Sequence, residues 1–316
     1  MNVETHRPAR DALIAAIVTF IGGSDLLSAE AIRAVLEHEI DAAGAQALVE
    51  LKERLGADEG WTYYPPDPLA RRIHHLLADR FLDGGSIVEG LEHLAAASAA
   101  PMVLLANHLS YADANVVEVL LQRGGATGLA ARLTAIAGPK VFTSRERRFS
   151  SLCFGTIKVP QSADVASGQA QLQAREVARA ARAAIDVAGR RLAGGDALLI
   201  FGEGTRSRTA SMQPMLAGVA RYLEWPGTML VPIGITGSES LFPVDAATVH
   251  PARVCMRVGR PLEATRLLAH ARADRRVAMD AIGLAIARLL PAAYRGVYAD
   301  AAVHPHAREA LESCER

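Results

Sequence analysis

"LLANHLSYADANVVEVLL" (104–121) reads as a strand, a polar loop and a helix in immediate succession. The apolar run ends at Asn107-His108, the chain passes Ser110, and an apolar pattern at helical spacing begins beyond Asp113. Five positions inside one helix amount to a rotation of about 140°, which would send His108 and Asp113 apart. They converge if the helix starts between them. Ser110 then serves as the N-cap and Asp113 falls at N3, a capping box with Asp in place of Glu. Two readings stay open at this point. Capping alone accounts for Ser110 and Asp113. A catalytic pair would in addition use the carboxylate to fix the His108 tautomer, leaving Nε2 free to take a proton.

The same strand-then-helix grammar recurs outward from this stretch. From about residue 86, short apolar runs appear as "PMVLLAN", "FGTIKVP", "DALLIFG", "TMLVPIGI" and "RVCMRVG". Alanine- and arginine-rich helical stretches separate several of them, above all "QLQAREVARAARAAIDVAGRRLAGGD" (171–196). Alternation of this kind predicts an α/β fold, a mixed and mostly parallel sheet flanked by helices. Residues 9–56 carry helical periodicity, "GADEGWTYYPPDP" (56–68) breaks it with glycine and proline, and "LARRIHHLLADRFL" (69–82) restores it. We therefore expect a helical N-terminal domain at 1–80 and an α/β domain at 81–316.

In an open α/β sheet, ligands bind beyond the carboxyl ends of the strands. His108 follows one predicted strand, and "FGEGTRSR" (201–208) follows another. If those strands are parallel, both polar loops open at one edge of the sheet. Gly202 and Gly204 permit close backbone approach. Thr205, Arg206, Ser207 and Arg208 offer donors for a phosphate or a developing oxyanion, although a solvated turn with two arginines fits as well. The loop lacks the Gly-Lys-Ser/Thr of a nucleotide-binding P-loop and the third glycine of a dinucleotide fingerprint.

Composition narrows the function classes. Of 316 residues, half are hydrophobic, and 34 basic residues balance 34 acidic ones, so the basic excess expected for nucleic-acid binding is missing. Cys153, Cys255 and Cys314 are far apart and form no CxxC, which reads as three reduced thiols and no structural zinc site. "ALIAAIVTFIG" (12–22) is shorter than the about 20 apolar residues that span a bilayer, and reads as a buried first helix.

Taken together, the blocks resemble the phospholipid/glycerol acyltransferase superfamily over roughly residues 86–262. "NHLSYAD" matches the family's H-x4-D at His108 and Asp113. "GEGTRSR" matches its E-G-T-R at Glu203, Gly204, Thr205 and Arg206, and "VPIGI" (231–235) matches its strand with proline. "CMRVGRPL" (255–262) fits the family's usual ending. The family's second block often carries an arginine for the acceptor's phosphate; here "GTIKVPQS" (155–162) has Gln161 at that place. Lys158, or Lys140, Arg145, Arg147 and Arg148 upstream, are the candidate replacements, while a solvated basic surface is the other reading of "SRERR".

The resemblance implies acyl transfer from a thioester, acyl-CoA or an acyl carrier protein, to a hydroxyl of glycerol-3-phosphate or lysophosphatidate. Other acceptors, or a non-catalytic lipid- or carrier-binding protein of the same fold, are the alternatives. It implies His108 as general base, Asp113 as its orienter, and Glu203, Gly204, Thr205 and Arg206 at the acceptor. Arg206 is the first choice for a phosphate, and Glu203 for ordering the loop or acceptor hydroxyls. Backbone N–H groups near Gly204–Thr205 or Ser110 are the oxyanion candidates. No metal, cofactor or nucleic acid is expected, and Cys153 reads as a core residue. The expected location is cytoplasmic, with peripheral contact on the inner face of a membrane for a lipid acceptor. "TYYPP" (62–66) and the apolar face of residues 12–21 are the stretches that could make that contact if they are exposed rather than packed.

Overall fold

The structure, a computed structural model, describes residues 7–22, 26–57, 60, 62–143, 145–160, 174–243, 246 and 248–316. Two helices open it, α1 (Arg7–Gly22) and α2 (Leu26–Gly56), the second broken at Gly44, whose φ of 84° and ψ of 166° are not helical. After β1 (Tyr63–Tyr64), Asp67 caps α3 (Pro68–Phe81) by accepting from the N–H groups of Leu69 and Ala70 at 2.9 and 3.0 Å. Pro68 fills the first helical position, where no N–H is needed.

The α/β part runs β2 (Ile87–Glu89), α4 (Leu91–Ala97), β3 (Met102–Ala106), α5 (Asp113–Arg123), α6 (Thr127–Ala131) and β4 (Leu133–Ala137). It continues with α7 (Arg145–Ser151), β5 (Gly155–Lys158), α8 (Ala174–Ala193), β6 (Ala197–Phe201), β7 (Met229–Thr236) and α9 (Ser238–Leu241). β8 (Cys255–Val258), β9 (Leu262–Glu263), α10 (Ala264–His270), α11 (Arg275–Arg288) and α12 (Pro305–Glu315) complete it. Among the described residues the strand order is β1-β5-β4-β6-β3-β7-β8-β2, with β9 beside β7. The central β5-β4-β6-β3-β7 block is parallel, whereas β8 and β1 join antiparallel. The expected mixed, mostly parallel sheet flanked by helices is the observed fold.

Both faces of the central strands are covered, so their sequences are apolar runs rather than alternations. Along β3, Met102, Leu104 and Ala106 face one core and Val103 and Leu105 the other. The first core also takes Ile14 and Ile17 of α1, Leu36 and Leu48 of α2, and Ile73 and Leu77 of α3. The N-terminal helices thus share a buried layer with the sheet. Ile14, Ile17, Val18 and Tyr64 are buried, so these parts of the two stretches that could have met a membrane are packed inside. No described helix is long and apolar enough to cross a membrane.

Pro232 sits mid-strand without breaking the ladder. β9 pairs with Met229 and Leu230, and β8 begins at Ile233, so Pro232 occupies the gap between the two partners. Its carbonyl faces that gap and accepts from the Gly259 N–H at 2.8 Å. The missing N–H points the same way and leaves no ladder bond unmade.

Three departures from expectation have physical reasons. β4, "LTAIA", is a short run interrupted by Thr134 and diluted by two alanines and is not among the expected strands, yet it lies inside the sheet between β5 and β6. β1 falls within the proline-rich stretch expected to be a linker, because a two-residue pairing with β5 needs no longer run. Helix α5 starts at Asp113, not at Ser110, and its N-cap residue Ala112 makes no side-chain cap.

Candidate active site

β3, β6 and β7 are parallel with Ala106 paired to both Phe201 and Ile233, so the loops after all three open at one edge. That edge carries His108, the 203–208 loop and Ser238. The His108 Nδ1 lies 2.8 Å from the Asp113 Oδ2. The same oxygen accepts from the N–H groups of Leu109 and Ser110 at 2.7 and 2.9 Å. Only half of the expected capping box is therefore built. Asp113 reaches back to the Ser110 N–H, but the Ser110 hydroxyl accepts from Ala112 at 3.2 Å instead of from N3. The bonds to Leu109 and Ser110 also remove those N–H groups as oxyanion donors, correcting the expectation placed on the Ser110 end.

His108 is held on every side except its cavity edge. Its ring stacks on Phe201, with centroids 4.3 Å apart and planes 20° apart. Its backbone N–H donates to Glu203 Oε1 at 2.8 Å, and its carbonyl accepts from the Ser207 N–H at 2.7 Å. Just before it, the Asn107 side chain bonds both the carbonyl and the N–H of Ile235, at 2.9 and 2.8 Å.

Glu203 turns inward. Its second oxygen accepts from the Gln213 N–H at 2.7 Å, so both oxygens are engaged with backbone, and the side chain does not line the cavity. Burial pushes its carboxyl up to about 7 against the pull of those two backbone bonds. Gly204 follows at φ 70°, where a Cβ would lie 2.3 Å from Leu216 Cδ1, so any other residue would strain the turn and push Leu216 aside. Thr205 is exposed and lines the cavity beside Arg206.

The cavity at this edge measures about 990 Å³, the upper end of small-molecule sites. Its wall takes residues from both cores: Leu77, Val116, Val119 and Phe154 from one face, Ile200 with Val219 and Tyr222 from the other. Among the described residues that line it, Lys52, Lys140, Arg147, Arg206 and Arg221 are basic and none is Asp or Glu. For a chain with equal numbers of acidic and basic residues, that is a local charge imbalance built around His108. Arg206 and Arg147 flank one ring, their guanidinium carbons 4.2 and 4.8 Å from the Tyr111 centroid. The Arg206 Nη1 is buried and has no hydrogen-bond partner among the described residues. A buried donor on a cation is the kind of group an anion completes.

The acyltransferase family model matches residues 86–236. Residues 86–236 are an acyltransferase domain. Within this domain lie the dyad, the 203–208 loop and the whole of β7. Among solved structures, the 1-acyl-sn-glycerophosphate acyltransferase of Thermotoga maritima is similar at 20% identity. That likeness covers 82% of this chain and 88% of that one, with a TM-score of 0.42. No curated protein sequence matches the chain.

The remaining sequence candidates of the acyltransferase are scattered. Lys140 is exposed at the cavity wall. Lys158 is buried, with its ammonium 5.0 Å from the Phe142 centroid, and does not line the cavity. The Arg145 side chain and Gln161 lie outside the described residues. Arg148 is buried near Tyr64 and Phe142, away from the wall, so among the described side chains of α7 Arg147 is the basic one that reaches it. Cys153 is a buried thiol, pushed well above its ordinary range by desolvation. Tyr111 and Phe201 stand inside the quoted blocks with no role assigned from sequence, and Ser238 lies outside them.

Among the described residues, one group brings three potential metal ligands within 4.8 Å of one another: His74, His75 and Glu118. Its His74 lines the same cavity as His108, while Glu118 is buried behind the wall. The Arg71 guanidinium already holds Glu118 Oε1 at 2.8 Å, so the cluster stands as an ion network between α3 and α5.

Proposed function

We propose that this acyltransferase moves a fatty acyl group from a thioester donor to the free hydroxyl of a lysophosphatidate-type acceptor. His108 is the general base. Its Nε2 takes the hydroxyl proton as the oxygen attacks the thioester carbonyl. The tetrahedral intermediate collapses, the C–S bond breaks, and the proton held on His108 passes to the departing thiolate. The ester and a free thiol result, so atoms and charge balance with no cofactor. Asp113 orients the ring and stabilises the imidazolium that forms. The Thr205 N–H is the proposed oxyanion donor, because the Gly204 N–H is spent on the Phe201 carbonyl at 3.1 Å.

One observation carries this reading: the hydrogen-bonded His108–Asp113 pair opens on an apolar cavity whose wall, among the described residues, bears five cations and no carboxylate. A fatty chain with a phosphate head matches that wall. Apolar lining on both faces of the sheet supports two chains, one on the donor and one on the acceptor, and so favours lysophosphatidate over glycerol-3-phosphate. Arg206 and Arg147 are the proposed phosphate ligands. In this role Arg147 does the work of the arginine missing at Gln161.

Purified protein supplied with acyl-CoA or acylated carrier protein, and with either acceptor, tests the proposal. Thiol release and product mass are the readouts, and His108→Ala is the control. Ester formed on lysophosphatidate and lost in the variant is the expected result. Transfer to glycerol-3-phosphate alone would overturn the two-chain argument, and an unimpaired His108→Ala enzyme would overturn the base.

A further inference from the structure

Asp113 has two oxygens, and the sequence motif accounts for only one. Oδ2 carries His108, Leu109 and Ser110, all within five residues. Oδ1 accepts from the Ser238 hydroxyl at 2.6 Å, from a residue 125 positions away in the chain. Asp113 and Ser238 are both fully buried, and neither lines the cavity.

The chain takes some trouble to place that hydroxyl. β7 ends at Thr236, and Gly237 turns at φ 89°, where a Cβ would lie 2.2 Å from the Arg253 carbonyl oxygen. Ser238 then opens α9. The next residue, Glu239, accepts from the Tyr294 hydroxyl at 2.5 Å, and the Leu241 carbonyl accepts from the His250 N–H at 2.8 Å. α9 is thus fixed from outside as well. Two positions before the turn, Ile235 holds the Asn107 side chain through both backbone groups. The end of β7 therefore grips the chain just before His108 and the carboxylate just after it.

We infer that Ser238 is a positioning residue for the dyad. The terminal torsion of an aspartate is broad and roughly two-fold, so a carboxylate bonded through one oxygen can swing. A donor on the second oxygen stops the swing and keeps Oδ2 on the His108 Nδ1. Ser238 touches neither substrate, so its effect falls on turnover and not on binding. The inference rests on His108 acting as the base.

The test is Ser238→Ala beside Ser238→Cys and Ser238→Thr. Cysteine keeps the shape but is a weak donor, and threonine keeps the hydroxyl. Removing a hydrogen bond to a charged group predicts kcat lower by about 10- to 100-fold for alanine and cysteine. Both KM values should stay within about two-fold, and Ser238→Thr should recover turnover. The proton NMR resonance of the His108 Nδ1–H, assigned by its loss in His108→Ala, should move or broaden in Ser238→Ala. Wild-type kcat with an unmoved resonance would overturn the inference, as would a folded Ser238→Thr enzyme no faster than alanine. Should alanine fail to fold, the cysteine variant carries the same comparison. If His108→Ala is itself fully active, the base assignment falls instead, and the two failures are told apart.

Discussion

Asp113→Asn separates charge from geometry unusually well in this site. In many dyads an asparagine inverts the hydrogen-bond pattern and forces the histidine into the wrong tautomer. Here Oδ2 receives three donors, from His108, Leu109 and Ser110, while Oδ1 receives one from a hydroxyl that can rotate. An asparagine has one orientation that satisfies everything: its oxygen in the Oδ2 place, its NH₂ in the Oδ1 place, and Ser238 reversed to accept. The opposite flip would set the NH₂ against three donors. The tautomer is therefore kept, and only the negative charge is lost. A unit charge pair about 4 Å apart at an effective dielectric constant of about 20 is worth about 4 kcal/mol. That stabilisation belongs to the imidazolium in the transition state, so kcat should fall about 1,000-fold. Asp113 is fully buried and off the cavity wall, so both KM values should hold, and the melting temperature should stay close to wild type. Steady-state kinetics of Asp113→Asn, His108→Ala and the double variant form the assay. Residues that act as one unit are not additive, so the double variant should be no slower than His108→Ala. An Asp113→Asn enzyme within about ten-fold of wild type, or a double variant showing the product of the two losses, would refute the reasoning.

The other expectations are brief. Arg206→Ala should raise the acceptor KM by about 10- to 100-fold, the cost of losing charge-assisted bonds to a phosphate, with little change for the donor; a rise confined to the donor would move Arg206 to the thioester side. Burial holds Glu203 at about 7, above the ordinary 4.5, so the folded state keeps this proton more tightly than the unfolded one. Its contribution to stability is thus full below about 4.5 and is lost as pH rises through about 7. Glu203→Gln mimics the protonated form and should flatten the fall in melting temperature over that window; a curve parallel to wild type would count against it. Burial pushes Glu118 up, but its neighbours His74, His75 and Arg71 outweigh this and carry it down to about 2. Its contribution is present above about 4.5 and is lost as pH falls toward 2. Glu118→Ala should cost about 3 kcal/mol in denaturant unfolding at neutral pH, since it takes the buried carboxylate away from the Arg71 guanidinium; a loss under about 1 kcal/mol would show that the pair is screened.

What could be read from the chain alone follows the range of the interactions involved. The parallel core was legible because strands buried on both faces are written as apolar runs, as in "PMVLLA" and "DALLIF". "LTAIA" was not, because Thr134 spends its hydroxyl on Asp196 at 2.6 Å, a pairing invisible until β4 and β6 are side by side. The His108–Asp113 pair was legible because it closes over five residues. Ser238 and the Glu203 brace on the His108 N–H close over 125 and 95, and only the parallel register of β6, β3 and β7 brings them together.

The same register explains why Glu203, Gly204, Thr205 and Arg206 stand in that order. Were all four to meet the acceptor, their side chains would have to face one way, which a continuous turn does not allow. The structure divides them instead. Glu203 points back under β3 to hold the His108 and Gln213 N–H groups, and Arg206 points out to the cavity with an unsatisfied Nη1. Gly204, at φ 70° and pressed on Leu216, makes the reversal between them possible. A β-carbon there would have to displace Leu216, a cavity-wall residue, or straighten the turn. Either outcome moves Arg206 relative to the ring that Glu203 braces. The spacing of the block is therefore a distance held between the base and the anion-binding group, and each of its residues matters through that distance whether or not it touches the substrate.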